Sequence, residues 1–195
     1  MSGKNAMSCL RITPFWVQRS GNEESEYEDS YNFYANKVAV ADGASEGVFS
    51  KLWADLLTTH LVKSDLKLGD FKNIEHFKGW VRRIQDEWKR EALERCQVES
   101  LPWYVKNKLR HVGAYSTLLA LEFDAYEREK LHWIALSVGD VCLFKIASGD
   151  LVLSFPISNS SEFTNFPHRL AANSSPQSTR GMCYLVRGCS IRGIL

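Results

Sequence analysis

The chain has almost no net charge and no long apolar run. Lys plus Arg number 24 against 23 Asp plus Glu in 195 residues. So even a balance argues against a dedicated nucleic-acid or membrane-surface binder, which carries a clear basic excess. No stretch approaches the ~18 apolar residues of a membrane span, and no apolar run behind basic residues marks a signal peptide. The five cysteines (Cys9, Cys96, Cys142, Cys183 and Cys189) are odd in number, and no two stand at zinc-ligand spacing. They are expected to be buried or free thiols in a reducing compartment. The expectation is therefore a cytoplasmic protein with neither nucleic acid nor membrane as partner; its oligomeric state is not legible. There is no internal repeat. Acid is scarce late in the chain, where no Asp follows Asp150 and the one acid is Glu162.

What is present is enough for a core. Apolar residues make up 45% and include six Trp, which fits one packed domain of this length. Residues 9–18 have the pattern of a first strand, with Pro14 suggesting an edge or bulge. Residues 20–36 are polar and acidic, a loop or hairpin tip. Lys37-Val38-Ala39-Val40-Ala41 then runs into Asp42-Gly43, as a short buried strand ending at a turn would. Val48, Leu52, Trp53, Leu56, Leu57 and Leu61 recur at helical spacing. Phe77, Trp80, Val81, Ile84, Trp88 and Ala92 do the same within a second helix over 73–96, whose other face is charged. After Gly113 the pattern changes to strands at 116–123, 131–138, 141–146 and 151–155. Residues 131–136 are apolar almost throughout, the mark of a strand covered on both faces. The expected class is α+β, with helices stacked on antiparallel sheets and strands 116–123, 131–138 and 141–146 as consecutive neighbours. Residues 173–180 are Ser-rich and turn-like, and 181–195 show no clear period, so 9–172 reads as the domain and 173–195 as an irregular tail.

Acids cluster at Glu23, Glu24, Glu26, Glu28 and Asp29, and single acids stand at the strand ends Asp42 and Asp140. A strand end is a rigid platform, and Gly beside Asp leaves its carbonyl accessible. Oxygen-only donors of this kind suit hard cations such as Mg²⁺ or Mn²⁺. By spacing alone, an Asp-Gly after a strand is also an ordinary turn.

The order of the motifs says more. Tyr27-Glu28-Asp29, then Val38-Ala39-Val40-Ala41-Asp42-Gly43-Ala44-Ser45-Glu46-Gly47, resembles the N-E-D and V-A-D-G segments of the type 2C (PPM) metal-dependent serine/threonine protein phosphatases. Gly113-Ala114-Tyr115-Ser116-Thr117 is similar to that family's G-A/G-T-A strand. Ala135-Leu136-Ser137-Val138-Gly139-Asp140 is similar to its A-N-V-G-D pair, followed by a comparable hairpin. The D-G-A-S-E-G form resembles a bacterial-type branch. The resemblance implies a sandwich of two antiparallel β-sheets flanked by helical layers (αββα), here with the C-terminal part missing. It also implies two Mg²⁺ or Mn²⁺ ions about 3.5–4 Å apart that activate a water to attack a phosphomonoester in line, with no catalytic side chain as nucleophile. Asp42 matches the bridging ligand, Gly43 a carbonyl ligand, Glu28 a further acidic ligand, Asp29 the acid behind it, and Asp140 a third, weaker metal position. A phosphorylated protein would be the substrate or partner.

The departures bear on activity. The family places an Arg three residues before its N-E-D segment to grip phosphate in a bidentate fork. Glu24 stands in that region here, and Arg19 is merely near it in sequence. The family's D-G-x-G-G-H His has no match in Ala44-Ser45-Glu46. Its last metal ligands come from two late Asp motifs, and this chain holds no Asp beyond Asp150. The expectation is a phosphatase-like chain with little or no turnover; a non-catalytic, phosphate-reading regulatory module is the alternative. An unrelated α+β domain with coincidental Asp-Gly turns is the third reading. A calcineurin-like site is disfavoured because no His-Gly follows Gly139-Asp140.

Overall fold

A computed structural model describes residues 11–17, 21, 27–98, 100–127, 130–163, 167–173 and 183–191. The larger sheet has five antiparallel strands. β1 (Ser30–Tyr34) and β2 (Lys37–Ala41) form a hairpin, followed in space by β4 (Leu118–Glu127), β5 (Lys130–Val138) and β9 (Cys183–Ile191). A short pair, β3 (Tyr115–Ser116) with β8 (Leu170–Ala171), and a separate hairpin of β6 (Leu143–Ala147) with β7 (Asp150–Phe155) complete the strands. The class is α+β with antiparallel sheets, as the sequence pattern requires.

One face of the large sheet carries the helices. α1 (Ser50–Lys63) turns Leu52, Trp53, Leu56, Leu57 and Leu61 inward, and α2 (Ile74–Val98) packs with Phe77, Trp80, Val81, Ile84 and Trp88. Both helices fall where the helical spacing of apolar residues puts them. A third, α3 (Trp103–His111), has only Val105 and Leu109 packed against the core, too short a period to read from sequence. Lys37 is buried at the start of β2. Its ammonium donates to the Ser64 and Leu66 carbonyls, both at 2.6 Å, where the carbonyl-rich end of α1 favours a cation. That contact fixes the strand to the helix.

The other face supports a smaller core of Leu119, Trp133, Ala135 and Phe155, closed by the β6–β7 hairpin. The hairpin's outer side leaves Phe144 and Ile146 more than half exposed (55% and 57%), and among the described residues no helix covers it. On the large sheet, Tyr31, Phe33 and Val40 are exposed as well.

Four expectations need correction. Residues 11–17 form no strand, and Cys9, Leu10 and Gln18 lie outside the described residues. The segment 20–36 is not all loop, since 30–34 is β1. Strand 141–146 does not neighbour 131–138. Gly139, at φ 96°, turns the chain out of the sheet, so β6 joins β7 in the other layer. β5 pairs instead with β9 over nine residues, so 183–191 is a strand of the large sheet and not an irregular tail. Its period is masked because Gly188 stands opposite Trp133, whose ring fills the place of the missing side chain: a Cβ there would lie 2.2 Å from the indole.

Candidate functional site

β2 carries Asp42 just past its end. The Asp42 N–H donates to Thr117 Oγ1 at 3.2 Å, while its carbonyl accepts from the Thr117 N–H at 3.0 Å and from Ser116 Oγ at 2.9 Å. The acid is therefore mounted on a backbone held by β3 and the start of β4. Gly43 follows and bridges to Ser116. A Cβ on Gly43 would lie 2.6 Å from the Glu28 carbonyl oxygen and 3.1 Å from that of Ser50. Close approach of two chains, not a left-handed φ, is what glycine serves here.

The β1–β2 register pairs Ser30 with Ala41. Continued outward, it sets Asp29 across from Asp42 and Glu28 across from Gly43. Opposite residues on antiparallel neighbours share a face, and the Asp29 and Asp42 side chains are hydrogen-bonded to each other. Asp140 sits in the turn after β5. The Gly139 beside it packs so tightly that a Cβ would meet the His168 carbonyl and Thr117 Cγ2, each at 2.7 Å. Thr117 thus touches both acidic turns.

The electrostatics follow from that crowding. The Asp42 carboxyl is pushed up to about 7. Packing around it is the largest cause, although the residue as a whole is exposed. The hydrogen bond with Asp29 and the charges of Asp29 and Asp140 push the same way, and Arg169 opposes them. Because Asp42 reaches solvent, we give the two neighbouring acids the greater weight. Tyr27 is raised too, by burial first and then by Asp29, to which it is hydrogen-bonded. Near neutral pH this end of the sheet is short of positive charge. A cleft of about 350 Å³ opens beside it, lined by Gly139, Asp140, Ile157, Glu162, His168 and Tyr184.

The oxygen-only donors fit a hard divalent cation, and crowded carboxyls whose mutual repulsion raises Asp42 are ones such an ion would relieve. Among the described residues, however, no group of three or more His, Cys, Asp or Glu could hold a metal ion. They fit one loosely held, mostly hydrated ion better than a caged pair. Glu24 and Arg19 lie outside the described residues. Arg169 is the residue that motif reading missed: it lies far from Asp42 in sequence and reaches the site only through β3–β8 pairing.

No family model matches the chain, and no curated protein matches it. Solved structures do. The serine/threonine phosphatase Stp1 from Staphylococcus aureus is similar at a TM-score of 0.54 and 10% identity, over 100% of this chain and 77% of that one. The catalytic domain of the serine/threonine protein phosphatase PstP, in complex with two manganese ions, is similar at 0.52 and 18% identity, over 87% and 69%. A bacterial serine phosphatase is similar at 0.51 and 11% identity, over 84% and 68%. The chain has the fold of the bacterial PPM-type serine/threonine phosphatases, the fold its motif order implies.

Proposed function

We propose that this chain is a PPM-type protein serine/threonine phosphatase in its chemistry, with a phosphorylated protein as substrate or partner. In this reading Asp42, Gly43, Glu28 and Asp140 face a Mg²⁺ or Mn²⁺ ion, and Asp29 steadies Asp42 from behind. The reading rests most on one observation, the Asp29–Asp42 pair set across from each other at the end of the β1–β2 hairpin in a fold shared with phosphatases. When bound, such an ion supplies Lewis-acid charge for attack of water on phosphorus. The protein's own residues hold the acids in place, through Thr117 and Ser116, and exclude a side chain at Gly43.

Turnover by this chain is expected to be slight. Two divalent ions bring four positive charges, and Asp42 and Glu28 answer only two of them. The check is hydrolysis of p-nitrophenyl phosphate and of a phosphothreonine peptide with Mn²⁺, beside Asp42→Ala. Little or no release of phosphate is expected from either protein. Brisk Mn²⁺-dependent turnover that vanishes in Asp42→Ala contradicts the expected inactivity while supporting the phosphatase assignment. Brisk turnover that Asp42→Ala leaves intact contradicts the role given to Asp42. A second reading, a phosphatase-like module that binds phosphorylated partners without hydrolysing them, is favoured because no group of three or more His, Cys, Asp or Glu among the described residues is placed to hold a metal ion.

A further inference from the structure

Among the described residues, the Arg169 guanidinium lies close to the acidic turn. Gly43 bridges to Ser116, and Ser116 pairs with Leu170, so three backbones stand side by side in one row. Neighbouring strands lie about 4.8 Å apart, which sets Arg169, next to Leu170, two strand spacings from Gly43. Its backbone has little freedom. Trp53 Nε1 donates to the Leu170 carbonyl at 2.9 Å, Gln85 Nε2 to that of Ala171 at 2.7 Å, and the His168 carbonyl rests on Gly139. The side chain is mostly buried, 22% exposed, and its Nη1 donates to Glu46 Oε2 at 2.6 Å. Glu46 belongs to the turn after Asp42-Gly43 and is itself 73% exposed.

We propose that Arg169 is the phosphate-binding residue of this site and that the Glu46 carboxylate occupies it when no phosphate is present. The inference rests on the phosphatase reading above and supplies a cationic grip in a sequence that has Glu24 where the family's Arg is expected. The chemistry is a matched exchange. A guanidinium fork that holds one carboxylate oxygen offers the same donors to a phosphomonoester, whose dianion carries the larger charge. Glu46, exposed and on a turn, forms a weak pair that is displaced easily. Arg169 directly precedes β8, whose backbone is held by Trp53 and Gln85, so the fork stays in place when Glu46 leaves. Its charge already reaches Asp42, and a phosphate held between the two would lie across the acidic turn where a cation would bind. Glu46 then acts as a built-in competitor, lowering the apparent affinity of any anion for Arg169 by the fraction of the time it occupies the fork.

The test uses the full chain and a fluorescent peptide carrying a phosphonate analogue of phosphothreonine, which cannot be hydrolysed. Binding is read by anisotropy with Mn²⁺, beside the unphosphorylated peptide, and Mn²⁺ affinity is read separately by calorimetry. Glu46→Gln, which changes only an exposed turn, is expected to bind the phosphonate peptide about threefold more tightly. Arg169→Gln is expected to bind it about tenfold more weakly without losing Mn²⁺ affinity, since removing a cation does not disfavour another. A merely structural Arg169 would weaken both. If both variants bind the phosphonate peptide as the unsubstituted chain does, while Mn²⁺ uptake still depends on Asp42, the inference is overturned and the phosphatase reading stands. If the unsubstituted chain takes up neither Mn²⁺ nor the phosphonate peptide, both are overturned.

Discussion

Trp53→Ala is expected to lower stability by about 3–5 kcal/mol, the range for deleting a large buried aromatic. Trp53 is fully buried in the first turn of α1, among the helix and sheet residues of the main core. Its loss empties a large volume and also strips the Leu170 carbonyl of its indole donor. A buried acceptor that loses such a donor adds a further cost of about 1 kcal/mol. β8 has only two residues paired with β3, so the Trp53 and Gln85 side-chain donors carry much of its anchoring. Urea unfolding followed by tryptophan fluorescence and by far-ultraviolet circular dichroism would show the midpoint falling with the slope unchanged. Trp53→Phe should fall between, because it keeps most of the volume and loses the hydrogen bond. A loss below ~1 kcal/mol for the alanine variant would mean that α1 does not organise the core as described.

Gly43→Ala is expected to act on stability and on the site together. The added methyl would lie 2.6 Å from the Glu28 carbonyl oxygen, 3.1 Å from the Ser50 carbonyl and 3.2 Å from Glu28 Cβ. The nearest atoms are backbone and cannot swing aside, so either residues 27–29 or the start of α1 must shift. Overpacking of this kind costs about 1–3 kcal/mol, and the shift parts Asp29 from Asp42. Gly79→Ala is the matched control. It lies in α2 with nothing within 4 Å of the new methyl, so it should stabilise by about 0.5–1 kcal/mol through helix propensity. Thermal melts of the two variants should move in opposite directions, and only Gly43→Ala should weaken Mn²⁺ binding. A Gly43→Ala chain as stable as the original, with unchanged Mn²⁺ affinity, would refute the close approach of 28 to 43.

The sequence showed these elements unequally, for physical reasons. α1 and α2 were legible because their buried residues are apolar and recur at a clean helical period, and β5 because it is apolar almost throughout. β1 was not, because its pattern is inverted. Ser30 and Asn32 face the helix and are hydrogen-bonded to Asp55, Thr58 and Thr59, while Tyr31 and Phe33 face outward. β9 was obscured by Gly188, whose missing side chain is replaced by the Trp133 ring. The layer change at Gly139 depends on one left-handed residue, so strand order beyond it could not follow from apolar runs alone. Motif order nominates Asp42, Gly43 and Glu28 as candidates, whereas the placement of Asp29 across from Asp42 needs the hairpin register. Arg169 needs the pairing of two-residue strands, which leaves no sequence period.

The acidic end of the β1–β2 hairpin is a cation site only if Asp42 must give up its proton to bind one. Its carboxyl is raised to about 7, so below that pH a proton and Mn²⁺ compete for it. Above that pH the carboxylate is free and the competition ends. Calorimetric titration of the chain with Mn²⁺ between about pH 6 and about pH 8 should show one loosely held ion per chain. Its affinity should fall with decreasing pH, approaching about tenfold per unit well below pH 7, with one proton released per ion bound at the acid end. Asp42→Ala should abolish the binding at every pH. Mn²⁺ binding that is independent of pH and unchanged in Asp42→Ala would contradict this assignment of the site.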